Sequence, residues 1–218
     1  MNIKIIQEPT LDFPFAVIYK DSGLPSAPLT EGQDSALTQA ASIIPCLKNV
    51  RGKKAIELGL VHRLDTATRG LLLIASTQDS YDNIQIQQKE GKFIKWYKAQ
   101  VEYEGSEKNI SFTVKSRFRP YGKKGSRVKP VFEDSSFSDK KKAGSKEYTT
   151  QITIMGRTAV CRITEGFRHQ VRTHLAYSGF PIKGDFLYNE NTKGEMDFEA
   201  YKIEFINPET RKKVSFSV

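Results

Sequence analysis

Long apolar runs are missing from this sequence. Nowhere in its 218 residues is there a stretch near the roughly 18 consecutive apolar positions that a membrane-crossing helix needs, so no membrane association is expected. The opening Met1-Asn2-Ile3-Lys4-Ile5-Ile6-Gln7-Glu8 lacks the extended apolar core of a secretion signal. Cysteine is scarce. Cys46 and Cys161 lie far apart and carry no motif, which points to reduced thiols in a cytoplasmic protein. With 3 histidines and no Cys/His cluster, no metal site is expected. Neither a phosphate-cradling loop nor a dinucleotide-binding glycine fingerprint occurs, and there is no internal repeat. The length suits one domain over residues 1–218, taken as a monomer.

Positive charge is plentiful. Lys and Arg number 34 against 25 Asp and Glu, a net +9, which favours a polyanionic partner and above all nucleic acid. The excess is concentrated between residues 115 and 146. Lys115, Arg117, Arg119, Lys123, Lys124, Arg127, Lys129, Lys140, Lys141, Lys142 and Lys146 face only Glu133, Asp134 and Asp139. Phe118, Tyr121 and Phe132 are interleaved, and Pro120, Gly122, Gly125 and Pro130 predict irregular backbone. This composition suits an arm that holds RNA phosphates while rings stack on unpaired bases; the alternative is a solvated loop.

The rest of the chain reads as alternating short elements. Residues 15–20 predict a strand, followed by the turn Asp21-Ser22-Gly23-Leu24-Pro25. Leu37, Ala41, Ile44 and Leu47 predict a helix within 33–47, limited by Pro45. The stretch Val61-His62-Arg63-Leu64-Asp65-Thr66-Ala67-Thr68-Arg69-Gly70 is polar and leads into the apolar run Leu71-Leu72-Leu73-Ile74-Ala75, a buried strand. A loop anchored to a rigid strand is a favoured place for chemistry, although Asp65 could equally cap a turn. A helix over 79–90 follows, capped by Thr77 and stopped by Gly91, then a strand over 93–103. Strands are expected at 147–155 and 158–164, joined by Gly156-Arg157, and at 200–206 and 213–218. Helical spacing fits 168–177, with Gly179 and Pro181 ending it; on such a helix Arg168 and Arg172 share a face, as do Val171 and Leu175.

Four ordered islands carry a resemblance. His62-Arg63-Leu64-Asp65-x-x-Thr68-x-Gly70-Leu71-Leu72-Leu73 resembles the signature of the RluA-type pseudouridine synthases. Tyr19-Lys20-Asp21-Ser22-Gly23-Leu24-Pro25, Lys95-Trp96-Tyr97-Lys98-Ala99, and Gly166-x-x-His169-Gln170-Val171-Arg172-x-His174-Leu175 continuing through Gly184-Asp185-x-x-Tyr188 resemble its other segments, in the same order. Asp21 stands where that family usually has proline, Arg69 where it usually has serine, and Phe167-Arg168 where Arg-Thr is common. The first island begins too early to leave room for the S4-like RNA-binding domain that often precedes the family's catalytic domain.

The resemblance implies an α+β fold with a central, mostly antiparallel mixed sheet flanked by helices and loops, and a catalytic cleft across it. It implies isomerisation of uridine in ribosomal or transfer RNA to pseudouridine, without a cofactor. Asp65 corresponds to the catalytic carboxylate, Tyr97 to the active-site tyrosine, and Arg172 to the arginine set against the aspartate. Tyr97 is better suited to stack on uracil than to act as a base, since a phenol with pKa about 10 is mostly protonated at neutral pH. A uridine in folded RNA must be unstacked, at a cost of a few kcal/mol. His62 and Arg63 flank Asp65 and could fill the vacated space, Arg63 being the better placed. Lys95, Arg168, His169, Gln170 and Leu175 complete the expected substrate-binding set. A non-catalytic RNA-binding protein of the same fold and an N-glycosylase releasing free uracil are the competing readings.

Overall fold

A computed structural model describes residues 2–106 and 108–218. The chain divides into two compact units, one formed by residues 1–95 and 199–218, the other by residues 96–198. Among the described residues there are ten strands and four α-helices, an α+β composition as the resemblance implies.

The first unit is built on β1 (Ile3–Gln7), β2 (Phe15–Lys20) and β3 (Arg69–Ala75), with β9 (Phe198–Ile206) beyond β3 and β10 (Lys213–Ser217) on β9. Its pairings are antiparallel except β3 with β9, which are parallel and make the sheet mixed. β3 explains its own sequence. Leu71, Leu73 and Ala75 point into a core with Phe15, Val17, Ile84, Phe93, Ile203 and Phe205, while Leu72 and Ile74 on the opposite face are equally enclosed. A strand covered on both faces needs an unbroken apolar run. Gly70, where β3 crosses β9, has φ 134°, and a Cβ there would overlap the Ala200 backbone. β1 carries too weak an alternation to be read from sequence.

Helix α1 spans Ala36–Ile43, shorter than the periodicity suggests. Ser35 accepts from the Thr38 amide (3.1 Å) and Thr38 Oγ1 accepts from the Ser35 amide (2.8 Å), closing a reciprocal cap. Pro45 then opens a separate turn of 3-10 helix over Pro45–Asn49. Helix α2 (Gln78–Lys89) begins at the expected cap, Thr77.

In the second unit, β4 (Ile94–Gln100, which belongs to this unit from Trp96 on), β8 (Thr158–Ile163), β7 (Tyr148–Gly156), β5 (Lys108–Tyr121) and β6 (Arg127–Val131) are neighbours in that order. The short α3 (Phe137–Lys142) and α4 (Gln170–Tyr177) complete it. Here the structure corrects the expectation of irregular backbone between residues 115 and 146. β5 is a 14-residue strand that pairs β7 through Ser116 and β6 from Arg117 onward. The prolines are tolerated because of register. Val128 donates its N–H to the Tyr188 hydroxyl (2.9 Å), and the Phe118 carbonyl accepts from Gly144 (3.0 Å). The opposed pairs Phe118–Pro130 and Pro120–Val128 therefore turn their backbone polar groups away from the β5–β6 ladder. A proline nitrogen at such positions forfeits no ladder hydrogen bond.

Helix α4 is also shorter than expected. His169 adopts left-handed backbone (φ 56°), so the helix starts only at Gln170. Arg168 lies outside it and shares no helical face with Arg172; its guanidinium donates to the carbonyls of Gly125 and Arg127 at the hairpin tip.

Candidate functional site

The expected site residues fall in both units: His62, Arg63, Asp65 and Lys95 in the first, Tyr97, Arg168, His169, Gln170, Arg172 and Leu175 in the second. Within the first unit, the Asp65 loop is fastened through its backbone. Ser26 Oγ accepts from the Leu64 amide (2.9 Å) and donates to the Leu64 carbonyl (2.8 Å), both buried. Gly23 donates its amide to the Thr66 carbonyl (2.9 Å), and Ser22 Oγ donates to that of Ala67 (2.8 Å). Lys20 Nζ reaches the carbonyls of Asp21 (2.9 Å) and Thr66 (3.1 Å). The Thr68 amide closes the turn on the Asp65 carbonyl at 3.0 Å. The segment 20–26 thus grips Leu64, Thr66 and Ala67, and Asp65, half-buried, is placed by its neighbours' main chain. Lys20 is fully enclosed, and burial pulls its pKa down to about 8, with Asp65 and Asp21 opposing that fall.

His62 and Arg63 part company. His62 is buried, with Nε2 accepting from the Leu73 amide (3.3 Å) and its ring 5.2 Å from Phe93. Burial, with Lys95 adding to it, holds its pKa down to about 3, so the imidazole is neutral and serves the junction of loop and strand. Arg63 is exposed, its Nη1 3.3 Å from Glu57 Oε1. Lys95 is buried on β4 with Nζ 5.6 Å from the Phe93 ring centre.

The second unit organises its expected residues around α4. Arg172, almost fully buried, grips Asp185 through two parallel bonds, Nε to Oδ2 at 2.8 Å and Nη2 to Oδ1 at 2.6 Å. Its guanidinium also lies 5.2 Å from the Tyr188 ring centre. The Tyr188 hydroxyl takes the Val128 amide and shares a hydrogen bond of 2.8 Å with His169 Nδ1; burial pushes its pKa up to about 12, so it remains a phenol. Gln170 is spent on structure: its amide donates to the Thr149 carbonyl and Thr150 Oγ1, each at 3.0 Å, and accepts from Phe167 N at 3.0 Å. His174 is enclosed between Ser116 and Thr150 hydroxyls, 2.8 Å from each, with pKa lowered to about 4 by burial. Leu175 is fully buried core. Tyr97 is buried and its ring stacks on Phe198 at 5.2 Å.

Sequence reasoning assigns no role to Lys20, Ser26, Asp185 or Tyr188. Asp185 and Tyr188 lie in the matched stretch, and Asp185 follows Gly184, whose φ of 78° and close approach to Glu195 mark a tightly built turn. Lys20 and Ser26 carry no local signal, because their partners lie about forty residues away. Among the described residues, no group of three or more His, Cys, Asp and Glu side chains could hold a metal ion, and no helix is long and apolar enough to cross a membrane.

A family model described as RNA pseudouridylate synthase matches residues 14–177. The mitochondrial tRNA pseudouridine(32) synthase of Saccharomyces cerevisiae is 28% identical, over 87% of this chain and 37% of its own length. The ribosomal large subunit pseudouridine synthase D of Buchnera aphidicola is 25% identical, over 99% of this chain and 66% of its own. The chain therefore spans from about a third to just under two-thirds of these relatives. Among solved structures, human RNA pseudouridylate synthase domain containing 1 superposes with a TM-score of 0.72 at 18% identity, covering 100% of this chain and 83% of that one, a likeness of fold.

Proposed function

The chain belongs to the RNA pseudouridylate synthase family, of the RluA type, and from that premise we propose that it isomerises uridine in ribosomal or transfer RNA to pseudouridine. One observation carries the reading: the family match runs through an intact His62-Arg63-Leu64-Asp65 motif on a loop whose main chain is gripped from Lys20 to Ser26. The reaction breaks the N1–C1′ bond, turns the base, and joins C1′ to C5; C5 loses a proton and N1 gains one, so the RNA keeps its mass. Positive character at C1′ is stabilised or trapped by a carboxylate held close to it, the role proposed for Asp65. Tyr97 is proposed to stack on the uracil. Arg172 is the proposed catalytic cation, its planar fork oriented by Asp185. Arg63, exposed beside Asp65, is proposed to fill the space left by the unstacked uridine. The relatives' names support ribosomal and transfer RNA equally as substrate classes. The protein is proposed to act in the cytoplasm, as a monomer, with no cofactor.

The test is a map of pseudouridine by carbodiimide-dependent primer stops in RNA from cells with and without the gene. Sites lost without it should return with the wild type and not with Asp65→Ala, whose turnover should fall by at least about a thousandfold while RNA binding stays within several-fold. Appreciable turnover by Asp65→Ala would remove that residue from the mechanism. Release of free uracil would convert the reading to an N-glycosylase.

A further inference from the structure

The β5–β6 hairpin sorts its residues by face. Arg117, Arg119 and Tyr121 alternate with Ser116 and Phe118, and lie opposite Val131, Lys129 and Arg127. Ser116, Phe118, Val128 and Pro130 are buried on one side, which leaves the cations together on the other. Successive same-face residues on a strand stand about 6.8 Å apart, a stride suited to successive phosphates of an extended strand. Asp139 is the fastener of this face. It takes Arg119 Nε at 2.5 Å and Lys129 Nζ at 2.9 Å, so α3 is pinned to the cationic side of the hairpin. Lys129 beside it holds the Asp139 carboxyl below its ordinary range.

The remaining charge is largely uncommitted. Lys115 pairs with Glu147 and Lys146 with Glu165, but Arg117, Arg127, the tip lysines Lys123 and Lys124, and the Lys140–Lys142 run carry no ion pair among the described residues. The tip itself is ordered by Arg168, which holds the carbonyls of Gly125 and Arg127. An exposed ring accompanies these cations. Phe137 opens α3 with 82% of its surface exposed, one helical turn from Lys140 and Lys141. Tyr177, 60% exposed at the end of α4 and stacked on Phe132 at 4.4 Å, belongs instead to the Ser116 and Phe118 side, where His174 of the same helix bonds Ser116 and stacks on Phe118. Two exposed carboxylates, Glu133 and Asp134, reduce the positive excess of this segment without reversing it.

We propose that this face of the second unit is a landing surface for unpaired RNA, in which the hairpin and α3 cations hold phosphates while Phe137 takes a base. A duplex keeps the faces of its bases inside the stack and would engage the cations alone; the exposed Phe137 ring selects for single strand. The inference deepens the proposed function and rests on it only for the purpose of the binding.

The experiment measures fluorescence anisotropy of a labelled mixed-sequence single-stranded RNA of about 20 nucleotides, and of the duplex of the same length, across a salt series. Lys140→Glu with Lys141→Glu and Lys142→Glu should weaken single-strand binding at least about tenfold and flatten the log–log salt slope by about 2, near 0.7 for each phosphate no longer neutralised. Phe137→Ala should weaken single-strand binding at least about fivefold and leave the duplex unchanged, and Tyr177→Ala, on the other side of the hairpin, should change neither. An unchanged slope in the lysine variant, or equal losses on single strand and duplex in Phe137→Ala, overturns the proposal. Thermal melts confirm that each variant is folded, and the ring variants carry no charge change that could mislead. A wild type that makes no pseudouridine, yet binds in this patch-dependent way, would sink the proposed function and keep the surface. An active wild type whose Kd is indifferent to all these substitutions would do the reverse.

Discussion

The Asp65 loop and the start of α4 are immobilised by opposite means. In the first unit, residues 20–26 seize the loop's backbone, mostly with neutral hydroxyls and a main-chain amide. In the second, helix α4 has no side-chain cap, and its Arg172 is set by a two-pronged bond to a buried carboxylate. Fastening through the main chain distributes the load over several bonds. Fastening through a buried ion pair concentrates it in one.

The comparison predicts its largest effect at Asp185. Two charges this deeply buried are tolerable only together. Asp185→Ala should cost about 3–5 kcal/mol in urea unfolding, by stripping the guanidinium of its bidentate partner. Replacing both, as Arg172→Met with Asp185→Leu, should recover most of that stability while leaving no activity. A single variant as stable as wild type would show that the pair is not what sets α4, and the contrast with the loop would fail.

These two regions are not equally legible in the sequence. The five-residue apolar strand, the cap at Thr77 and the Gly156-Arg157 turn follow from periodicity and local chemistry, and the structure has them where they are expected. Asp65 can be singled out because its motif is contiguous. The grip of Lys20 and Ser26 cannot be, since a lysine on a strand ordinarily reads as exposed and its acceptor lies at Thr66. The hairpin escapes sequence reading for a related reason. Pro120 and Pro130 count as breakers only where the strand needs their N–H, and that depends on a register shared with Val128 and Tyr188. Periodicity extends helix α4 backwards to Arg168 because it does not report the left-handed turn at His169.

A middle-sized effect is expected at Ser26. Its hydroxyl serves both polar groups of Leu64 in a buried setting, where water cannot replace it. Ser26→Ala should cost about 1–3 kcal/mol, because two buried groups are left unsatisfied. Because these two bonds adjoin Asp65, kcat should fall more than KM rises. Ser26→Thr, which restores the hydroxyl, should recover part of both. Equal loss of kcat in a distant core variant of matched stability would reduce Ser26 to a purely structural role.

The smallest effect sharpens the contrast most. Ser22 makes the same kind of bond as Ser26, from a hydroxyl to a loop carbonyl at the same 2.8 Å, but at the surface. When the hydroxyl is removed, water can take its place on the Ala67 carbonyl, so the desolvation penalty that dominates at Ser26 never arises. Ser22→Ala should therefore stay within about 0.5 kcal/mol of wild type in denaturant unfolding. Turnover should stay within about twofold, since the Gly23 amide and Lys20 still hold Thr66. If Ser22→Ala instead matched Ser26→Ala, burial would not be what makes the grip, and the loop would be held by the number of its bonds rather than by their seclusion from water.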